Sequence, residues 1–405
     1  MRASVAFPMI GGAHQLFHTA PVAASLSIIS PETEVVILAP DMRSLALIQS
    51  AVSLYPGSSV RIELLKRSWI GGLIAGVTRR RSSAKGPLLW RNRKLFNRFD
   101  ALVLAECTSL LLRNMGVRRP VFLCIPHGAG DRAISFEPRF REFDAVLVAG
   151  EKTVRRMVAS GVDPSRLKIV GYPKADFVRR LRTAPDRLFT NDRPTIFYSP
   201  HFRRKLSSLD NGLAIASEFA RHEGFNLIVA PHVRAFEDSS AKERQAWQSL
   251  AIPDKVIVDL GSERLFDMTY VDAADIFLGD VSSQVYEFLL RPRPCVFLNA
   301  HGVDWVGNDD YAFWNLGEVV HPKDAVPAIE RAQHRHAEFL SHQRAAVTET
   351  FGGLTNAAEI AAREILVSLG VRTPNPIQVS SPAELPRRDA TGLAGNTGLP
   401  QRGRI

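Results

Sequence analysis

Asp275–Leu290 reads DIFLGDVSSQVYEFLL. The apolar triplet Ile276-Phe277-Leu278 suits a buried strand, and Gly279-Asp280 ends it. Ser282 and Ser283 then stand where N-cap residues stand, ahead of a helix carrying Tyr286, Glu287 and Phe288. A helix start just beyond the carboxyl end of a strand offers free N–H groups and a partial positive charge. Hydroxyls and amides together suit a diphosphate, and a plain helix cap is the other reading of the same serines.

The same strand-then-helix pattern recurs outward from this stretch. Apolar runs lie at Ser4–Ile10, Glu34–Ala39, Val60–Leu65, Ala101–Ala105, Val121–Ile125, Ala145–Ala149 and Lys168–Val170. The polar stretch Arg180–Arg193 follows, and a second series runs through Thr195–Tyr198, Asn226–Ala230, Lys255–Leu260, Asp275–Leu278 and Cys295–Leu298. Continuous apolar strands alternating with helices imply parallel sheets covered on both faces. The predicted fold class is therefore α/β, with two doubly wound Rossmann-like domains facing a cleft. The expected boundaries are 1–178, 190–370 and a tail at 371–405 that is rich in Pro, Gly, Ser and Arg, which predicts disorder.

Composition excludes several classes. The chain has 405 residues, enough for two cores. No apolar run reaches the roughly 18 residues that span a bilayer. MRASVAFPMIGG reads as a first core strand rather than a signal peptide. Three scattered cysteines (Cys107, Cys124 and Cys295) form no disulfide or metal pattern, which predicts a reducing cytoplasm. The net charge of +10 favours anionic partners. GxGxxG, GxxxxGK[ST], HExxH and GxSxG are absent. His14 and His18 lie four apart, too few ligands for a metal site. No cofactor, no metal and no nucleic acid are expected.

Ligands of doubly wound sheets bind beyond the carboxyl ends of the strands. The residues found there are Gly11-Gly12-Ala13-His14, Pro126-His127-Gly128, Ser199-Pro200-His201-Phe202-Arg203, Pro231-His232-Val233-Arg234 and the Asp280–Ser283 turn. His127 suits proton transfer or a bond to phosphate near neutral pH. Imidazole beside guanidinium at His232 and Arg234 suits an anion. Gly171–Asp176 reads as a hinge near the cleft.

IPHGAG, GYPKAD, YSPHFR, APH and GDVSSQVYEF occur here in the order seen in CDP-glycerol glycerophosphotransferases, the teichoic-acid polymerases, and the stretch Ala101–Leu298 resembles that family. The resemblance implies the two-domain GT-B fold. It also implies roles: His127 as base for an acceptor hydroxyl, and His232 as a contact to the donor diphosphate. Asp280, Ser282 and Ser283 become the donor phosphate element, with Arg203 and Glu287 on the donor side. Gly11, Gly12 and His14 fall on the acceptor side. The chain departs from the family at Pro126, Ala129 and Glu287, so the transferred group is left as glycerol phosphate, another polyol phosphate or a sugar. The same region is also similar to the UDP-N-acetylglucosamine 2-epimerases.

The implied partners are a CDP- or UDP-linked donor and a glycan or lipid-linked acceptor of the cell envelope. The basic segment Arg61–Phe96, with Trp69 and Trp90, suits peripheral contact with an anionic membrane. A solvated basic loop is its alternative reading. The expected activity is transfer with a histidine base and metal-independent diphosphate binding. Epimerisation, and nucleotide-sugar binding without catalysis, are the alternatives.

Overall fold

A computed structural model of the chain describes residues 2–66, 85–132, 136–182, 186–237, 239–352 and 355–372. Half of the basic segment expected at a membrane (67–84), and the tail beyond 372, lie outside the described residues.

Among these residues the strands form two all-parallel sheets. The first contains β1 (Ser4–Pro8), β2 (Glu34–Ala39), β3 (Arg61–Leu64), β4 (Ala101–Leu104), β5 (Val121–Cys124), β6 (Ala145–Val148) and β7 (Leu167–Ile169). Its order is β3-β2-β1-β4-β5-β6-β7. The second contains β8 (Thr195–Ser199), β9 (Asn226–Val229), β10 (Val256–Val258), β11 (Ile276–Gly279), β12 (Cys295–Leu298) and β13 (Glu318–Val320), in the order β10-β9-β8-β11-β12-β13. Both orders reverse once, between β1 and β4 and between β8 and β11. Each reversal opens a crevice at the carboxyl ends, because the loops leave in opposite directions there.

The central strands are buried along nearly their whole length, as their unbroken apolar runs require. Every apolar run expected as a strand carries one. β13 was not expected: it is three residues long and half-buried throughout, so it has no apolar run to announce it. In the second core Phe277 packs against Phe197, Phe288 and Phe297, with ring centroids 5.7–6.0 Å apart. Packing of that density behind β11 fixes where Asp280 and the serines emerge.

The chain crosses between the sheets twice. The helix Pro173–Leu181 follows β7. Near the end, Ala325–Phe351 packs on β12 and then meets the helix Glu151–Ala159. Ala357–Ser368 finally packs along Ala13–Ile29, the first helix of the chain. Among the described residues no helix is long and apolar enough to cross a membrane.

Candidate functional site

The site assembles at the two reversal points. In the second sheet, β8 and β11 are paired with Ser199 opposite Gly279, so the loops leaving them diverge from adjacent positions. Asp280 joins those loops. Its Oδ1 accepts the His201 amide at 2.9 Å, and its Oδ2 accepts the Ser208 amide at 2.8 Å and the Ser207 hydroxyl at 3.0 Å. The carboxylate is 1% exposed, and burial raises its pKa despite these donors. Asp280 was expected at the donor itself. Here its oxygens are used within the protein, where they hold the 201–208 loop.

That loop and the one after β9 form a ledge. His201, Phe202 and His232 are mutual neighbours, with ring centroids 4.4–5.6 Å apart. The Arg234 guanidinium lies 4.5 Å from the Phe202 ring centroid, and that of Arg203 lies 5.7 Å from it. Loss of hydration is the largest cause that pushes His201 down to about 3 and His232 down to about 4. The charges of Arg132, Arg203 and Arg234 push His201 the same way, and Arg234 does so for His232. Both rings are therefore neutral at pH 7. Each accepts a backbone N–H at Nδ1, from Arg203 and Arg234 respectively, at 3.2 Å. These bonds assign the proton to Nε2, so each neutral ring is left with one N–H to donate.

The first sheet supplies the opposite wall. His127 follows β5, and its Nδ1 lies 2.7 Å from the carbonyl oxygen of Ala105, just beyond β4. A carbonyl only accepts, so Nδ1 carries the hydrogen and Nε2 keeps the lone pair. This is the reverse of the assignment at His201 and His232. His127 is exposed to solvent, yet the surrounding protein dehydrates it enough to lower its pKa. The Ala105 bond and Glu106 act in the other direction. His14 stands beside it with ring centroids 5.0 Å apart, and burial together with His127 pushes His14 down to about 3. Gly12 has φ +116°, which turns the chain from β1 into the helix that carries His14. Gly11 sits against the Gln15 side chain at the same turn. His18 points elsewhere: it is buried edge-on against Tyr172 with centroids 5.2 Å apart. Among the described residues no group of three His, Cys, Asp or Glu side chains is placed to hold a metal ion.

The serine turn lies between the walls. The helix after it is short, Gln284–Phe288, and Ser283 at its N-cap makes no side-chain capping bond. The expected cap is thus replaced by a weaker one, in which Ser282 Oγ accepts the Gln284 amide at 3.3 Å. The Ser283 hydroxyl faces the first wall. A Cβ placed on Gly128, whose φ is +89°, would stand 3.6 Å from Ser283 Oγ. Glu287 does not project into the cleft. Its Oε1 and Oε2 accept Lys174 Nζ at 2.7 and 2.9 Å, and Oε1 also accepts the Tyr172 hydroxyl.

The structure thus brings His14, His127, His232 and Ser283 to one cleft with Arg203 at its edge, and it turns Asp280 and Glu287 inward. It adds residues that sequence reading did not single out. Arg132 and Lys85 bring positive charge within reach of the histidines. Glu106, paired with Lys85 at 3.0 Å, brings a carboxylate near His127. The signal that could have found them is position, since Glu106 follows β4 and Arg132 lies in the stretch after β5 that carries His127.

No protein-family model and no curated protein matches the chain. Solved structures do. The wall teichoic acid polymerase TagF superposes with a TM-score of 0.60 at 12% identity, over 91% of this chain and 89% of that one. S. aureus MnaA with UDP superposes with a TM-score of 0.58 at 13% identity, over 92% and 99%. The UDP-GlcNAc 2-epimerase of Neisseria meningitidis bound to UDP-GlcNAc gives 0.54 at 13% identity, over 91% and 100%. The fold they share with this chain is the two-domain, Rossmann-like GT-B arrangement expected from the sequence.

Proposed function

We propose that this protein is a transferase that takes a glycerol-phosphate, other polyol-phosphate or sugar group from a nucleoside-diphosphate donor. The acceptor is a hydroxyl of a cell-envelope glycan or of a lipid-linked chain. The observation that carries the reading is the opposed proton placement across the cleft. His127 offers a lone pair at Nε2, whereas His201 and His232 offer N–H groups while uncharged.

The donor diphosphate lies along Ser282, Ser283 and the cationic ledge of Arg203 and Arg234, with Arg132 on the facing wall and without a metal ion. His127 takes the acceptor proton as the acceptor oxygen forms its new bond, to phosphorus or to the anomeric carbon. The breaking bond leaves its electron pair on the departing nucleotide, whose charge the ledge N–H groups and guanidiniums offset. Asp280 positions the ledge rather than touching the donor. The basic helix Lys85–Phe96, with Trp90 exposed and stacked under Arg93, supports placement at an anionic membrane surface that carries the acceptor. The likeness in fold to TagF, a wall teichoic acid polymerase, supports the reading.

A second reading is a 2-epimerase, which needs an acid and a base on the sugar but no acceptor. The Glu106 carboxylate near His127 favours it, as does the span of the superposition on the epimerase structures. Product analysis separates the two. Nucleotide release that requires an added hydroxyl acceptor supports transfer. Release of UDP together with an epimerised sugar, and no acceptor dependence, supports the second reading. Binding without turnover of any CDP- or UDP-linked compound overturns both.

A further inference from the structure

The turn that offers Ser282 and Ser283 is held in place by the other wall of the cleft. Its helix, Gln284–Phe288, is five residues long, and a helix that short has no independent stability. Within the second lobe Phe288 packs on Phe277 and Gln284 bonds to Ser199 and Leu265, and side chains of the first lobe hold the helix from the other side. Two adjacent side chains are gripped. The Tyr286 hydroxyl donates to Asp131 Oδ2 at 2.6 Å. Asp131 Oδ1 accepts Lys152 Nζ at 2.7 Å, and the same ammonium lies 3.4 Å from the Tyr286 ring centroid. Next in the chain, Glu287 receives Lys174 on both oxygens together with the Tyr172 hydroxyl.

Asp131 lies in the stretch after β5, Lys152 in the helix after β6, and Tyr172 and Lys174 in the segment that leaves β7, so all four belong to the first lobe or to the segment leaving it. All of these side chains are buried. Buried ion pairs add little net stability over apolar residues of the same volume, while they do specify register. Asp176 ties the same segment to the returning helix, since its Oδ2 accepts the Ala358 amide at 2.9 Å. The clamp thus has a fixed base.

We propose that Tyr286 and Glu287 are positioning residues that lock the Ser282-Ser283 turn to the first lobe, so that the nucleotide site is complete only while the two lobes touch. The inference rests on the donor reading above and adds to it the coupling between nucleotide binding and lobe contact.

The test uses the full chain in two variants. Lys174→Met with Glu287→Met replaces the ion pair by side chains of similar volume, and Tyr286→Phe removes one hydroxyl. Backbone hydrogen exchange over 281–290 is expected to quicken about tenfold in each. Calorimetric affinity for UDP or CDP is expected to fall by about tenfold. The thermal midpoint should stay within about 4 °C of the native chain. If the double variant does not fold, Tyr286→Phe decides. Unchanged exchange over 281–290 overturns the clamp, and so does faster exchange with unaltered nucleotide affinity. If the native chain binds neither UDP nor CDP, the donor reading fails, while exchange still tests whether the turn is held from the first lobe.

Discussion

Tyr286 donates its hydroxyl to Asp131 across the cleft at 2.6 Å, so the helix behind the serine turn is bonded to the loop that carries His127. The two residues are 155 positions apart in the chain. Asp131 also accepts Lys152 and the Phe313 amide. Removing the carboxylate by Asp131→Ala strands a buried ammonium, which is expected to cost about 3–5 kcal/mol in urea unfolding. Tyr286→Phe leaves Asp131 with two donors and should cost about 1 kcal/mol. Equal losses for the two variants would mean that the ion pair and the hydroxyl do not play these separate parts.

Asp280 tests whether a strand-end carboxylate acts on a ligand or on a loop. Asp280→Ala removes the acceptor for His201, Ser207 and Ser208 and leaves their donors buried. A stability loss of about 1–3 kcal/mol is expected, with faster proteolysis in the 201–208 loop. Native stability combined with lost nucleotide binding would instead place Asp280 at the ligand.

His127 is the residue on which turnover should depend most. His127→Ala is expected to lower the rate of acceptor-dependent nucleotide release by about 10²–10⁴. Nucleotide affinity, read by calorimetry, should stay within about threefold, because a base acts on the acceptor and not on ground-state donor binding. A parallel loss of affinity would move His127 to the donor side.

The histidines give the fold a pH dependence of definite sign. His14 and His201 are pushed down to about 3 and His232 to about 4, from an ordinary 6.5. In each case the native state binds fewer protons than the unfolded chain below 6.5. Stability therefore rises with pH through this window and is lost as pH falls from about 6.5 toward 4. Urea midpoints at pH 7.5 and 5.0 should differ in that direction, and His14→Asn should reduce the difference. If His127 is the base, the acid limb of kcat/KM lies at a pH below 6.5, because loss of hydration lowers its pKa from that value. A stability that stays flat from pH 7.5 to 5.0 would contradict the first of these.

Ser282 and Ser283 test the proposed donor location. Thermal stabilisation by CDP-glycerol, CDP-ribitol or a UDP-linked sugar should appear in the native chain and vanish in Ser282→Ala/Ser283→Ala. Stabilisation that survives the double change would place the diphosphate elsewhere on the ledge.

Much of the architecture was legible because parallel strands buried on both faces must be apolar without interruption. The runs at Glu34–Ala39, Val121–Ile125 and Asp275–Leu278 carry that mark, and Glu318–Val320 at a sheet edge does not. Strand ends then pointed to His127, His232 and the serines, because loops at a reversal of strand order form the crevice. Glu287 shows where this reasoning stopped. Next to a phosphate-like turn it reads as a ligand contact, yet its partner Lys174 lies 113 positions earlier and turns it inward.

The sequence by itself determined the two parallel sheets, their order of appearance and the loops at the carboxyl ends of the strands, because these follow from local apolar patterning and chain direction. Only the tertiary structure decided which nitrogen of each histidine holds its proton, which carboxylates are spent on the protein and how the serine turn is gripped. Those outcomes depend on carbonyls, ammonium groups and hydroxyls brought close from distant parts of the chain, and on the loss of water around them, neither of which a local pattern records.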